Sequence, residues 1–436
     1  MVHLFEWKYT DIANECEQFL SKYNYGAVQI SPPQEHIMLR EERRRPVTSG
    51  VNGLYSSGGS SYFNGVDGQE QFPGVPYGSG DFNDPRCDHN IDDSDYQNSA
   101  YDVKTCRLAG LLDLDQGTDY VRGRIIDMLN RLIDMGVAGF RFDASKHMWP
   151  DDLKAILQGG VHNLRADIFG ANKRPFVVHE VIDRGGEAIH VSDYTALGRY
   201  TNFNFGADVT QTMWRYNDIA DLANLKEGYH YGNGKDEDVL NFLDNHGETT
   251  SESRQPYVVT YKDGIKYKMA VAFMLAWTYG YPRVMSSYDF NDRERGPPNL
   301  GSSQGYATRT PNINPNDETC YPDGWVCEHR WPEIRQMAQF RSIATGSPVA
   351  EIQQGHQMLA FARAGKGYLA LSNNDYNYDL NNVNTTLPAG NYCDIASGQK
   401  EYGGCTGRMI TVDANGFSTF TIYPNNFIAF HLGSKL

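Results

Sequence analysis

Apolar positions along this chain fall into short runs separated by amphipathic stretches, which is the alternation of βα units. Residues 2–4 and 27–31 read as buried strands with a helix, residues 11–23, between them, and Pro32 and Pro33 end the second strand. An amphipathic helix over 119–135, with Val121, Ile125, Leu129 and Leu132 on one face, leads into a strand over 137–143. A helix over 152–157 precedes a strand at 176–180. A strand at 200–205, a helix at 209–222, a strand at 238–246, an apolar helix at 266–279 and a strand at 283–286 follow. A helix at 333–343 closes this part. Repeated βα units predict a parallel barrel or a doubly wound sheet. From about Ser347 the pattern turns to short alternating segments, such as 358–363, 367–372 and 417–423, split by Gly, Asn and Asp turns. That reads as a β-sandwich tail without evident chemistry.

Between Pro46 and Lys104 the pattern is lost. Gly, Ser, Asn, Asp and Tyr dominate, no window has helical periodicity, and the length suggests a lid or an inserted domain. Ser57-Gly58-Gly59-Ser60 lacks the Lys-Ser/Thr and following helix of a phosphate loop. The basic cluster Arg40, Arg43, Arg44 and Arg45 reads as a solvated loop. The 436 residues are 40% hydrophobic and 12% aromatic, enough for a sizeable core in two or three units. The formal charge of −15 argues against nucleic acid and anionic membrane as partners and suits a neutral substrate. No run approaches the ~18 apolar residues of a membrane span.

Cysteine usage points to an oxidising compartment. Cys87 and Cys106, Cys320 and Cys327, and Cys393 and Cys405 are local pairs in loop-rich sequence, and Cys16 is left over. The sequon Asn384-Thr385-Thr386 permits glycosylation. Met1 is followed directly by strand-like sequence with no signal peptide, so the expectation is a secreted protein whose N-terminal segment has been lost.

The chemistry concentrates in Gly139-Phe-Arg-Phe-Asp-Ala-Ser-Lys-His-Met-Trp-Pro150, a buried strand that runs out into a loop and delivers Arg141, Asp143, Lys146 and His147. Arg141 stands two residues before Asp143, on the same strand face, where a guanidinium keeps a carboxylate ionised. Glu180 ends the next strand. Retaining glycosidases need two carboxyl groups about 5–5.5 Å apart, a separation that adjacent barrel strands can supply. Asn245 and His246 end a third strand. The competing reading is a structural Arg–Asp pair at a strand end and a satisfied structural histidine at His246.

Several stretches resemble animal-type α-amylases: Val2-His3-Leu4-Phe5-Glu6-Trp7, the 139–150 segment, His179-Glu180-Val181-Ile182-Asp183, Arg283-Val-Met-Ser-Ser-Tyr288 and Gly324-Trp-Val-Cys-Glu-His-Arg-Trp331. The resemblance covers nearly the whole chain, the three cysteine pairs included. It implies a (β/α)₈ TIM-type barrel over 1–45 and 107–346, an inserted loop-rich domain over 46–106 and a C-terminal all-β Greek-key sandwich over 347–436. It implies endo-hydrolysis of α-1,4-glucans such as starch, glycogen and maltooligosaccharides with retention, by a secreted monomer. Asp143 would be the nucleophile and Glu180 the general acid/base, with Lys146, His147 and His246 contacting sugar. Calcium would take the Asp113 side chain and the backbone oxygens of Lys104 and His147, oxygen ligands that suit a hard cation. Chloride would take Arg141, Asn245 and Arg283.

Two features depart from the family pattern. No third barrel strand and no Asp-x-x-x-Asn-His motif lies between Pro33 and Cys106. One internal deletion would account for this and for the unpaired Cys16. Where the family's seventh strand ends Asn-His-Asp, with the third catalytic carboxylate, this chain has Asn245-His246-Gly247, and neither Asp244 nor Glu248 stands in its place. The expected consequence is strongly impaired hydrolysis. A non-catalytic glucan-binding relative and an incomplete gene model are the alternatives.

Overall fold

The computed structural model describes residues 1–33, 77–246, 258–290, 296–304 and 306–436. Two compact units emerge. The first contains Met1–Ser31, Phe203–Asp236 and Asn241–Leu436; the second contains Pro32–Asn202 and Glu237–Leu240.

In the second unit, strand Gly139–Phe142 pairs in parallel with Phe176–His179, Gly139 opposite Phe176 and Phe142 opposite His179. Phe176–His179 pairs in turn with Arg199–Asn202. A β-carbon at position 139 would lie 2.3 Å from the Phe176 carbonyl oxygen, so the strands approach this closely because residue 139 is glycine. Helix Asp119–Asp134 starts at Thr118, whose hydroxyl accepts from the Val121 amide, and its Leu129 and Ile133 pack with Ile156, Val161 and Phe140. Helix Pro150–Gly159 begins with proline followed by Asp151 and Asp152, both favoured at a helix start. Arg122 donates from Nη1 to Asp152 Oδ1 at 3.1 Å and ties these two helices.

In the first unit, Val2–Leu4 lies between Val28–Ile30 and Val284–Ser286, all parallel, over a core that includes Trp7, Phe19, Tyr288 and Trp325. Helix Ile265–Ala276 is buried on every side from Met269 to Ala276, which explains its apolar run without a polar stripe. The all-β part sets strands Asn426–His431, Gly367–Ser372, Met358–Arg363 and Val349–Gly355 side by side, with Tyr378–Asn384 on Phe417–Ile422 and Gly390–Cys393 on Met409–Val412. Tyr368, Tyr392, Phe420 and Phe430 fill its core. Arg363 donates to Ala276 O at 2.7 Å and Ala344 O at 2.8 Å, satisfying the carbonyl ends of two helices with one side chain. Disulfides join Cys87 to Cys106, Cys320 to Cys327 and Cys393 to Cys405; Cys16 is a free thiol.

Seven barrel-type strands expected from the pattern are present, with corrected limits. The strand expected at 200–205 is Arg199–Asn202, because Phe203 already opens helix Phe203–Met213, and the helix expected at 209–222 splits into that helix and a 3₁₀ turn Ile219–Asn224. The strand expected at 238–246 is Val239–Asn241. The stretch read as loop before Cys106 contains short helices Asp95–Asn98 and Ala100–Thr105, too brief to show a period. Among the described residues the parallel strands form two sheets and do not close into a ring. The basic cluster at 40–45, Ser57–Ser60 and most of the span that lacks a third-strand motif lie outside the described residues.

Candidate active site

Parallel register puts three charged side chains on one side of the second unit's sheet. The Glu180 amide donates to Phe142 O at 2.8 Å, continuing the ladder, so Asp143 and Glu180 occupy the next rung, with Arg141 one rung pair behind. After Asp143 the chain turns at Ala144, whose φ is 51°. A left-handed alanine costs roughly 1–2 kcal/mol. Its amide donates to Glu180 Oε2 at 2.8 Å, a hydrogen bond that offsets part of the cost.

Arg141 grips both acids. Its Nη1 hydrogen-bonds Asp143 Oδ1, and its Nη2 lies 2.9 Å from Glu180 Oε1. The Arg141 and Glu180 side chains are 11% and 19% exposed, while that of Asp143 is 69% exposed. The two acids therefore sit in different media. Burial pushes the Glu180 carboxyl above the usual range; Arg141 and the Ala144 amide pull it back without cancelling the rise, to which Asp143 adds. Burial alone would lower Arg141, yet Glu180 and Asp143 hold its pKa above the ordinary value. Nε of Arg141 is buried with no hydrogen-bond partner among the described residues, a donor that fits a small anion.

The following 3₁₀ turn, Ser145–His147, is held from several sides. The Lys146 amide donates to Glu180 O at 3.3 Å; its ammonium donates to Ile182 O at 2.7 Å, pairs with Glu187 and lies 4.9 Å above the Tyr96 ring. His147 Nδ1 is 2.9 Å from Val103 O, and since a carbonyl only accepts, Nδ1 carries the proton. Burial pushes His147 down to about 4, so the ring is neutral at neutral pH. Behind the turn, buried Ser145 meets His179 Nδ1 at 3.1 Å. The partners Glu187 and His179 escaped the sequence reading: Glu187 carries no spacing signal, and His179, read as part of the strand, points away from Glu180.

Asp113 sits beside carboxylate Asp115 and accepts from Asn83 Nδ2 at 2.7 Å, and burial lifts its carboxyl to about 7. Asp115 is itself paired with Arg86. A half-buried acid facing an amide and another acid is a donor set that fits a hard cation, and Lys104 and His147 present backbone oxygens in the same unit.

Asn245, His246 and Arg283 belong to the first unit. Arg283 is 1% exposed, donates to Gln29 Oε1 at 2.8 Å and Asn245 Oδ1 at 3.0 Å, and stacks over Phe242. His246 Nδ1 is 3.0 Å from Asn245 Oδ1, and its ring packs on His3 and Phe5. Asp244 accepts from Tyr267 OH at 3.1 Å, so it is engaged in the core. Gly247 and Glu248 lie outside the described residues.

Residues 351–433 match the model of the α-amylase C-terminal all-β domain. The α-amylase of Tenebrio molitor is 40% identical, over 100% of this chain and 98% of its own length. Human pancreatic α-amylase is 40% identical, over 100% of this chain and 95% of its own. The crystal structure of wild-type α-amylase I from Eisenia fetida superposes with a TM-score of 0.88 at 34% identity, over 99% of this chain and 96% of that one. A complex of a mutant of that α-amylase with maltohexaose gives 0.87 at 35% identity, over 99% of this chain and 96% of that chain. The alignment with the Tenebrio protein runs over 482 positions, more than the 436 residues here, so that relative carries residues this chain lacks.

Proposed function

The chain belongs to the α-amylase family of glycoside hydrolases, and from that premise we propose that its site is the family's endo-acting, retaining site for α-1,4-glucosidic bonds of starch and glycogen, present here in weakened form. The observation that carries the reading is Arg141 holding two carboxyl groups on one rung of paired parallel strands. Glu180, buried and raised, is the acid: its proton goes to the glycosidic oxygen as the exposed Asp143 attacks the anomeric carbon and the leaving sugar departs. Glu180 then takes a proton from water, which displaces Asp143 and restores the configuration.

Lys146, His147 and His246 are the proposed sugar contacts, although Lys146 must first leave Glu187. Asp113 and the backbone oxygens of Lys104 and His147 would hold calcium, which when bound would supply positive charge to a half-buried acid and fasten the turn after Asp143. Chloride, proposed on Arg141, Asn245 and Arg283, would share a guanidinium that already serves both acids and so raise Glu180 further. The division into a barrel over 1–45 and 107–346, an insertion over 46–106 and a sandwich over 347–436 belongs to the same proposal, as does secretion as a monomer. Among the described residues no helix is long and apolar enough to cross a membrane.

Weakening follows from Gly247 in place of the third carboxylate and from the absent third-strand motif. A lost carboxylate that supports the acid removes several kcal/mol of transition-state stabilisation, about 3–4 by analogy with other electrostatic groups. Calcium-loaded protein assayed on soluble starch should turn over at least about a hundredfold more slowly than an intact relative. Turnover equal to the relative's would sink this part of the proposal. Starch binding with no hydrolysis at any enzyme concentration would favour the glucan-binding alternative.

A further inference from the structure

The segment Asn384-Thr385-Thr386 has no part in the reaction just described, and it is the one Asn-x-Ser/Thr sequence in the 436 residues. Asn384 ends strand Tyr378–Asn384 of the all-β part and is partly exposed. Alternation along the segment buries Val383 and Thr385, at 3% and 0% exposure, and leaves Asn384 and Thr386 toward the surface. The Thr385 hydroxyl donates to Gly416 O at 2.8 Å and holds the middle of the segment inward. One arm of the Asn384 amide is engaged: the Thr386 amide donates to Asn384 Oδ1 at 3.0 Å. A backbone N–H only donates, so that arm is the oxygen and Nδ2 lies on the opposite arm of the planar amide. Nδ2 takes no protein partner among the described residues and is not sealed from solvent. A β-carbon at Gly416 would lie 3.8 Å from Oδ1, so the neighbouring turn sits against the oxygen arm.

The same strand lies at the edge of its sheet. It pairs antiparallel with Phe417–Ile422, and no third strand joins this pair among the described residues. Its other side therefore presents backbone groups that a second chain could pair with. A register shift between Leu380 and Val383 blunts the middle of the strand. The Val383–Asn384 end carries neither a charge nor a proline as a guard.

We propose that Asn384 carries an N-linked glycan, and that this glycan covers the open edge of strand Tyr378–Asn384. The proposal rests on the secretion reading given above. The donor is an oligosaccharide joined to a lipid through pyrophosphate. Nδ2 attacks the anomeric carbon of its first sugar: the N–C bond forms, the C–O bond to pyrophosphate breaks, Nδ2 gives up a proton, and the lipid pyrophosphate leaves. Thr385 is buried in the fold, so transfer precedes folding. The unengaged Nδ2 arm then lets the folded chain keep a bulky, solubilising group outside its core.

The test expresses the full chain behind a cleavable secretion leader in cultured animal cells and reads its intact mass. The expected mass exceeds that of the bare chain and returns to it on treatment with a peptide N-glycosidase. Asn384→Gln and Thr386→Ala should each lose the added mass. Formation of the three disulfides shows that the chain reached an oxidising compartment. A bare mass with those disulfides formed overturns the proposal; a bare mass with free thiols overturns the secretion reading beneath it and the proposal with it. A glycan that persists in N384Q also overturns it. For the edge, N384Q should begin to aggregate at a lower temperature than the glycosylated parent. The same two chains made without glycan in a bacterial periplasm should aggregate alike. Equal onsets in the first pair, or the same gap in the second, overturn the covering role. If N384Q does not fold, the enzymatically deglycosylated parent supplies the comparison.

Discussion

Two arginine–carboxylate clusters, one in each unit, use the same residue types toward opposite ends. In the first unit, buried Glu15 accepts from Arg330 Nε at 2.7 Å and Nη2 at 2.5 Å, and from His329 Nε2 at 2.7 Å. The remaining donor and acceptor positions go to Glu318 O, 2.7 Å from Arg330 Nη1, and to Ser286 Oγ, 2.9 Å from His329 Nδ1. Burial would raise Glu15, but His329 and Arg330 outweigh it and hold the carboxyl below its usual range. Around Arg141 the balance falls the other way: Glu180 is raised, the guanidinium Nε lacks a partner among the described residues, and Asp143 faces water. A cluster with every polar atom engaged is a brace. One with an unmet donor and a raised acid can still bind and react.

The sharpest way to break this comparison is to remove one acid from each cluster. Glu15→Ala leaves a buried arginine and histidine without their acceptor and should cost about 3–5 kcal/mol in urea unfolding. Glu180→Gln should leave unfolding nearly unchanged while lowering residual starch hydrolysis by about 10²–10⁴-fold. An equally large loss of stability in both variants would make both clusters structural. The pH dependences should also differ in sign. Glu15 is depressed in the fold, so its contribution is present above the unfolded carboxylate pKa and fades as pH falls through the lower folded value. Glu180 is raised, so the fold favours its protonated form and that contribution fades as pH rises through the folded value.

A finer test moves one charge. Arg141→Gln removes the pull that lowers Glu180, so the alkaline limb of residual kcat/KM should shift to higher pH, together with a fall in rate. A limb that stays in place would mean Glu180 is not the acid. The smallest expected effect is calcium at Asp113. Calcium at about a hundred times its Kd should add about 2.7 kcal/mol to unfolding, seen as a higher Tm, and Asp113→Asn should abolish the rise. A rise that survives this substitution would move calcium elsewhere.

Much of this was legible in the chain, and the residues explain where legibility stopped. Strand 139–142 and its neighbour announced themselves through apolar runs, and the two-residue spacing of Arg141 and Asp143 gave their common face. Glu180 shared that face only once the register was known, because pairing between strands is not written in either strand. Phe203 and Phe205 fit a strand pattern, so the sequence predicts a strand where helix Phe203–Met213 begins, and only the structure shows both rings buried from a helix. Lys146 was expected at the substrate; its hold on Glu187 depends on a loop with no periodicity. Asn83 beside Asp113 joins residues thirty apart and had no local signal.

The shared rung of Asp143 and Glu180 makes strand register a ruler for evolution as well as for chemistry. Inserting or deleting one residue between Gly139 and Asp143 would turn Asp143 to the opposite side of the sheet and leave Glu180 without its counterpart. Length changes beyond Trp149 would leave that rung untouched. The segment is thus intolerant of frame within four residues and tolerant past the turn, so lineages descended from this chain can vary their loops freely only downstream of the rung.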